Sequence, residues 1–180
     1  MEVQIVQFLQ QLGHGTMVDN ISQFISRMPF LGALWFVIMV ILMRKYKTKR
    51  RVILASFILS GLLFFLVSEW WLKHLFVDTI GFRERSYVAH SDSIVPIGKS
   101  FADTSFPSDH MASALAMLTV ILFFVPGVRP FAFVFALMMA FSRMHNGMHY
   151  PSDVLVGTVL GICYGLAGSW LARKFFKRKK

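Results

Sequence analysis

Residues 52–68 read VILASFILSGLLFFLVS, seventeen consecutive positions without a charged side chain. As an α-helix rising 1.5 Å per residue the run is about 25 Å long, close to the ~30 Å hydrocarbon core of a bilayer. Arg50 and Arg51 stand directly before it and Glu69 directly after it. Outward from this stretch the pattern repeats, with uncharged runs at 28–43, 111–128, 130–142 and 154–172. Any single run would serve as a buried helix of a soluble protein, but five within 180 residues leave too little polar sequence to cover a soluble core. Composition agrees: 56% of residues are hydrophobic and 16% charged, against about 25% charged in soluble domains, and the mean hydropathy is +0.58. The expected fold is an all-α integral membrane bundle of about five transmembrane helices, a single domain over 1–180, with 28–180 as the bundle. The run at 130–142 is too short to span unless Arg129 or Arg143 at its ends enters the membrane, and a charge at depth marks a functional position.

The net charge of +10 does not read as a nucleic-acid surface, because the basic residues form dense clusters between apolar runs. Thirteen of the nineteen fall in the link 44–51, at Arg129 and in the tail 173–180. The excess of Lys and Arg in cytoplasmic segments places these, and the C-terminus, in the cytoplasm of a multi-pass cell-membrane protein. The opposite face then receives all nine carboxylates and the loops 73–107 and 143–151, which with His110 just after the first loop account for five of the six histidines. The single cysteine, Cys163, lies inside an apolar run and offers no disulfide. Segment 1–27 lacks the pattern of a cleaved leader. Its apolar positions Val3, Val6, Phe8, Leu9, Val18, Ile21, Phe24 and Ile25 recur at helical spacing, which predicts one or two amphipathic helices lying at the membrane surface or packed on the bundle.

Two clusters on the outer face carry the chemistry. Phe106-Pro107-Ser108-Asp109-His110 opens the third run, and Ser142-Arg143 closes the fourth, with His149 and Asp153 following. Pro107 and Ser108 ahead of a long apolar run read as a helix start, whose free N–H groups over Ser108 to His110 suit an anion such as phosphate. Pro151 suits the first position of the fifth helix, leaving His149 just before it and Asp153 in its first turn. From there the carboxylate would fix the imidazole tautomer and leave the other ring nitrogen as base or nucleophile. Taken singly, Ser108 serves equally as an N-cap, Asp153 as a charge favoured by the helix dipole, His110 and His149 as interfacial polar residues, and Arg143 as a snorkelling anchor. None of these readings requires the five to converge on one side of the membrane. His110, His149 and Asp153 lack the short ligand spacing of a zinc motif, so no metal is expected.

At these residues the sequence resembles the type 2 phosphatidic acid phosphatase superfamily of integral membrane lipid phosphatases. The family's Pro-Ser-Gly-His-like motif is matched by Pro107, Ser108, Asp109 and His110, and its Ser-Arg motif with trailing His and Asp by Ser142, Arg143, His149 and Asp153. Asp109 in place of Gly, together with Arg85-Ser86-Tyr87-Val88-Ala89-His90, resembles the branch of bacitracin-resistance undecaprenyl-diphosphate phosphatases. The first family motif is degenerate: Arg85 is followed by Ser86 rather than Pro, and the nearest upstream lysine, Lys73, is twelve residues back. The resemblance implies a hydrolase without cofactor, in which His149 attacks the terminal phosphorus, Asp153 orients it and His110 protonates the departing oxygen. It also implies that Arg143, Arg85 and Ser108 hold the phosphate; Asp109, Lys73 and Arg83 are further substrate-binding candidates, Lys73 reading equally as an interfacial residue ending the second run and Arg83 as a solvated loop charge. Implied partners are the bilayer and a membrane lipid substrate, a polyprenyl diphosphate, with phosphatidylglycerophosphate or phosphatidate as the alternative of the same class. A different class, an anion- or lipid-binding transporter, would use the same cations without chemistry. Gly157, Gly161, Gly165 and Gly168 permit close helix packing, within one bundle or in a homodimer. Trp70, Trp71 and Tyr150 are expected as interface anchors, and Met138 and Met139 as packing inside a span.

Overall fold

The computed structural model of the chain describes residues 1–177; Arg178, Lys179 and Lys180, the end of the basic tail, lie outside the described residues. Those described form helices and connecting loops with no strand. Two short helices, α1 (Glu2–Gln11) and α2 (Met17–Ile25), precede α3 (Met28–Lys45). After a tight turn at Lys47–Lys49, α4 (Arg50–Leu63) runs through a widened π-helical stretch, Phe64–Leu72, into α5 (Lys73–Ile80). A single turn, α6 (Ser86–Ala89), lies in the loop before α7 (Asp109–Phe124), and α8 (Arg129–His145) and α9 (Pro151–Lys177) complete the chain. Four stretches are long and apolar enough to cross a membrane, Met28–Lys45, Lys47–Ile80, Pro126–His145 and Pro151–Phe176, and α7 is a shorter apolar helix. The bundle therefore agrees with the expected five crossings.

The bounds differ from the apolar runs where charge is neutralised or buried. The second helix does not stop at Glu69 but continues to Ile80, because Lys73 Nζ meets Glu69 at 3.7 Å, Asp103 at 2.7 Å and Asp109 at 2.5 Å. The fourth takes in Arg129 and Arg143, and Arg143 is buried at 3% exposure. The third ends at Phe124, ahead of Pro126. It is also the central helix, with Met111, Ala112, Ala114, Leu115, Ala116, Leu118, Val120 and Ile121 all buried. Its shortness, about 24 Å at 1.5 Å per residue, leaves the irregular segment ahead of it sunk in the protein, with Ser105 and Ser108 fully buried. Such backbone needs internal partners: the Ser105 N–H donates to the Arg83 carbonyl at 2.8 Å and the Ser108 N–H to the Asp153 carbonyl at 3.1 Å.

The glycine stripe of α9 is consumed inside the bundle. A Cβ on Gly157 would fall 2.5 Å from the Ser108 carbonyl oxygen, one on Gly161 would strike the Ala112 carbonyl, and one on Gly168 would strike Ser60. These close approaches seat α9 on α7 and α4. The N-terminal helices pack one face on the bundle and expose an apolar other face, so both sequence expectations describe part of them. Val6 and Ile25 are buried while Phe8, Leu12, Met17, Ile21 and Phe24 are exposed. Gln10 Nε2 donates to the Val95 carbonyl at 2.6 Å, Ser142 Oγ donates to the Ser22 carbonyl at 2.7 Å, and both ring nitrogens of His145 find acceptors, Leu9 O at 2.9 Å and Asp19 at 2.8 Å. Trp70 and Trp71 are exposed, as interface anchors would be, but Tyr150 is buried, its ring covered by the Arg83 guanidinium at 4.4 Å. Met139 is buried and Met138 is exposed on the outer surface of the bundle.

Candidate active site

The start of α7, the end of α8, the start of α9 and the loop after α5 meet at one end of the bundle. Pro151 opens α9 as expected, and the preceding His149 is held in one orientation: its Nδ1 lies 2.7 Å from the Ser105 carbonyl oxygen. A carbonyl only accepts, so Nδ1 carries the proton and Nε2 keeps its lone pair. Nε2 faces Arg85 Nη1 at 3.4 Å. Asp153 does not take the Nδ1 proton; its Oδ2 is 3.7 Å away. That oxygen instead accepts from Ser105 Oγ at 2.5 Å and from the Tyr150 N–H at 2.8 Å, while Oδ1 accepts from Arg83 Nη1 at 2.7 Å. Asp153 thus acts on the imidazole through Ser105, whose hydroxyl it binds and whose carbonyl holds the ring. Burial and then the charges of Arg143 and Arg85 push the His149 imidazole well below its usual range, so it is neutral at physiological pH.

The cations divide into paired and unpaired. Lys73 is enclosed by Asp103, Asp109 and Glu69. Arg83 joins Asp153, Ser152 Oγ at 2.8 Å and Glu2 at 2.8 Å, and the Ser152 N–H also donates to Glu2 at 2.9 Å. Arg85 donates to Asp103 at 2.6 Å and to the Met148 carbonyl at 3.3 Å. Burial alone would raise the Asp103 carboxyl, but the hydrogen bonds and charges of Lys73 and Arg85 outweigh it and hold it at about 2. Arg143, by contrast, is buried, makes no ion pair among the described residues, and has its Nε without a partner. The buried Ser108 Oγ and Arg85 Nε are likewise unpartnered. Buried polar groups are nearly always satisfied, so the unused donors of Arg143 and Arg85, whose charges reach His149, and of Ser108 at the start of α7 outline a place for an oxygen-rich anion; Asp109 Oδ1, an acceptor, is unpartnered too.

A cavity of about 640 Å³ opens here, with His110, Arg143, Phe101, Asn146 and Met148 in its wall. His149 and Arg85 are buried and adjoin it: Met148 precedes His149, and Phe101 lies 5.1 Å beneath the Arg85 guanidinium; Ser108 is buried two residues before His110. The structure therefore gathers His149, His110, Asp153, Arg143, Arg85 and Ser108 at one end. Of the three further residues expected to bind substrate, Lys73 and Asp109 bond to each other, and Arg83 faces Asp153 and Glu2. The Ser108 N–H, expected to be free, is taken by the Asp153 carbonyl; as the first turn of α7, Asp109, His110 and Met111 keep N–H groups without intrahelical acceptors. Ser142 points away, toward Ser22. Sequence reasoning passed over Ser105, Asp103 and Glu2. Ser105 directly precedes the Phe106–His110 string and was within reach of a closer reading, whereas nothing in an aperiodic loop marks Asp103, and Glu2 is far away in sequence.

The sequence profile described as the PAP2 superfamily matches residues 78–177, more than half of the chain. The chain is 28% identical over 153 residues to undecaprenyl-diphosphatase BcrC of Bacillus subtilis, covering 84% of this chain and 74% of that protein. It is 29% identical over 128 residues to a lipid A 1-phosphatase of Rhizobium johnstonii, covering 69% of this chain and 52% of the relative. The crystal structure of Aquifex aeolicus LpxE superposes with a TM-score of 0.61 at 19% identity over 93% of each chain, a likeness of fold.

Proposed function

The chain belongs to the PAP2 superfamily, and on that premise we propose that this multi-pass membrane phosphatase hydrolyses undecaprenyl diphosphate to undecaprenyl phosphate and inorganic phosphate. The observation that carries the reading is Arg143, a buried guanidinium with no carboxylate partner among the described residues, in the wall of a cavity shared with His110. A buried cation is costly unless an anion meets it, and a phosphoryl group is the anion that a neighbouring neutral imidazole acts upon.

In the proposed reaction His149 Nε2 attacks the terminal phosphorus, and the bond from phosphorus to the bridging oxygen breaks. Undecaprenyl phosphate departs on that oxygen, which takes a proton from His110. Water then attacks the phosphohistidine, His110 recovers a proton from it, and inorganic phosphate leaves. Arg143, Arg85, Ser108 and the first N–H groups of α7 stabilise charge on the equatorial oxygens. Asp153 offsets the charge that the imidazole gains on phosphorylation.

Two features support a lipid diphosphate. BcrC, to which most of the chain is similar, is an undecaprenyl-diphosphatase. A second cavity, about 370 Å³, lies between α2 and α8; it is lined by Val18, Ile21, Ile25, Leu137, Met138 and Phe141. Ser142 borders this apolar space and Arg143 the cavity that holds His110 and the cations, so a prenyl chain in the first leaves its phosphates in the second. The lysine and arginine clusters support an extracytoplasmic site and a cytoplasmic C-terminus.

The test is phosphate release in detergent with chelator present from undecaprenyl diphosphate, phosphatidylglycerophosphate and phosphatidate, by wild type and His149→Ala. Preference for the diphosphate with an inert variant is expected. Preference for a monophosphate would replace the substrate, and no release from any lipid would overturn the reading in favour of anion or lipid transport. Orientation is read by thiols introduced at Lys47 and Val95 in a Cys163→Ala background: an impermeant reagent should label only the latter in intact cells.

A further inference from the structure

Three cations line the 640 Å³ cavity, Arg27, Lys99 and Arg143, and no carboxylate does. None of the three forms an ion pair among the described residues, whereas Lys73, Arg83 and Arg85 nearby are all paired. Arg27 and Lys99 are both exposed, so one phosphoryl group at buried Arg143 and at His110 leaves two further solvent-facing positive charges at the same cavity.

Both remaining cations are carried on anchored backbone. Ile97 is buried and its N–H donates to the Asn146 carbonyl at 3.3 Å. Gly98 follows at φ +100°, a conformation that glycine adopts without strain, and packs against Gln23 of α2. The turn fixes where Lys99 leaves the wall. Arg27 sits at the α2–α3 junction, its N–H bonded to the Phe24 carbonyl at 3.1 Å. The preceding Ser26 is tied to Ser142 Oγ and to Asn146 Nδ2. Asn146 thus joins both mounts to the end of α8 that carries Arg143.

Resting on the diphosphatase reading above, we propose that Arg27 and Lys99 form a second phosphoryl subsite. It holds the inner, lipid-linked phosphate of a diphosphate while the outer one lies at Arg143 and His110. A monophosphate ester carries about −1.5 to −2 at neutral pH and is matched by Arg143 and His110 alone. A diphosphate adds a second ionised group that only this pair answers. Arg27 and Lys99 are then specificity-determining residues for diphosphate over monophosphate.

The experiment separates the subsite from the reaction. In His149→Ala protein held in nanodiscs, binding of inorganic pyrophosphate and inorganic phosphate is titrated with and without Arg27→Gln and Lys99→Gln, alone and combined. The parent should prefer pyrophosphate, and the double variant should reduce the ratio of the two affinities by at least ~10-fold, the scale of a lost charge-assisted contact. Arg27→Lys and Lys99→Arg, which keep the charge, should retain most of the ratio and show that the folded cavity survives substitution. A ratio that stays put in the double variant, or equal losses for both anions, overturns the subsite whatever lipid is cleaved. A ratio that falls as expected in a protein whose wild type releases no phosphate from undecaprenyl diphosphate keeps the subsite and rejects the lipid.

Discussion

Ser105→Ala isolates the link between the carboxylate and the nucleophile. The substitution removes one hydroxyl that is 0% exposed and donates to the equally buried Asp153 at 2.5 Å. It leaves the Ser105 carbonyl that holds His149 Nδ1. A hydrogen bond to a charged group contributes about 1.5–3 kcal/mol. Asp153 keeps its bonds from Tyr150 and Arg83, so the carboxylate stays in place but is no longer locked to the segment carrying the ring's acceptor. If that lock acts as the imidazole gains charge, the same 1.5–3 kcal/mol appears in the barrier. At 1.36 kcal/mol per decade this is a roughly 10- to 150-fold fall in kcat. Ser105 is not in the wall of the cavity, so KM should change little. Steady-state phosphate release gives kcat and KM, acid-quenched single turnovers read formation of the phosphohistidine, and a melting curve in detergent checks that the variant is folded. A kcat within twofold of wild type, or a loss confined to KM, refutes the reasoning.

Arg83→Gln removes a charged donor from buried Asp153 and should lower kcat by about 10-fold or more, whereas Glu2→Gln, which keeps a neutral partner for Arg83 at a half-exposed position, should cost clearly less; equal effects in kinetic assays would place Arg83 outside the Asp153 relay. Because burial and then the Arg143 and Arg85 charges push His149 downward, the acid limb of kcat/KM should lie below the ordinary imidazole value of about 6.5. Removing a neighbouring cation eases protonation, so Arg143→Gln should move what activity remains to a limb at higher pH; a limb moving downward in pH–rate profiles contradicts this. Gly161→Leu should destabilise the bundle by at least roughly 1–3 kcal/mol through its collision with the Ala112 carbonyl. Gly32→Ala, on a helix with open space around it, should instead stabilise by about 1 kcal/mol; denaturation in mixed micelles distinguishes them.

Periodicity and charge sufficed for the bundle because lipid leaves a chain few choices. Backbone groups must be satisfied within each crossing segment, so a long uncharged run dictates a helix wherever it packs. The same logic made Arg143 legible: a charge closing a run too short to span must either shorten the helix or be buried, and it is buried. Pro107 and Pro151 marked helix starts through local chemistry that needs no tertiary partner. Ser108, His110, His149 and Asp153 stand out accordingly by spacing and by the family motifs they match, and the structure brings them to one end of the bundle.

The partners of these residues were not. Lys73 and Arg83 look like free cations in the sequence, because nothing local says that Asp103 and Asp109 close on one or that Glu2 and Asp153 close on the other. Tyr150 has the composition of an interface anchor, yet it is buried beneath Arg83. The glycine repeat of α9 permits a dimer as readily as a bundle contact until the carbonyls of α7 are seen to occupy it. Hydrogen bonds and ion pairs act over a few ångströms between groups up to 150 residues apart, so only the packed helices decide which donor meets which acceptor. Apolar runs and charge clusters alone specify a membrane helix bundle, and helix-start chemistry puts polar side chains at the ends of its helices. The tertiary structure decided that Ser105 rather than Asp153 holds the His149 proton, and which cations are left unpaired to receive an anion.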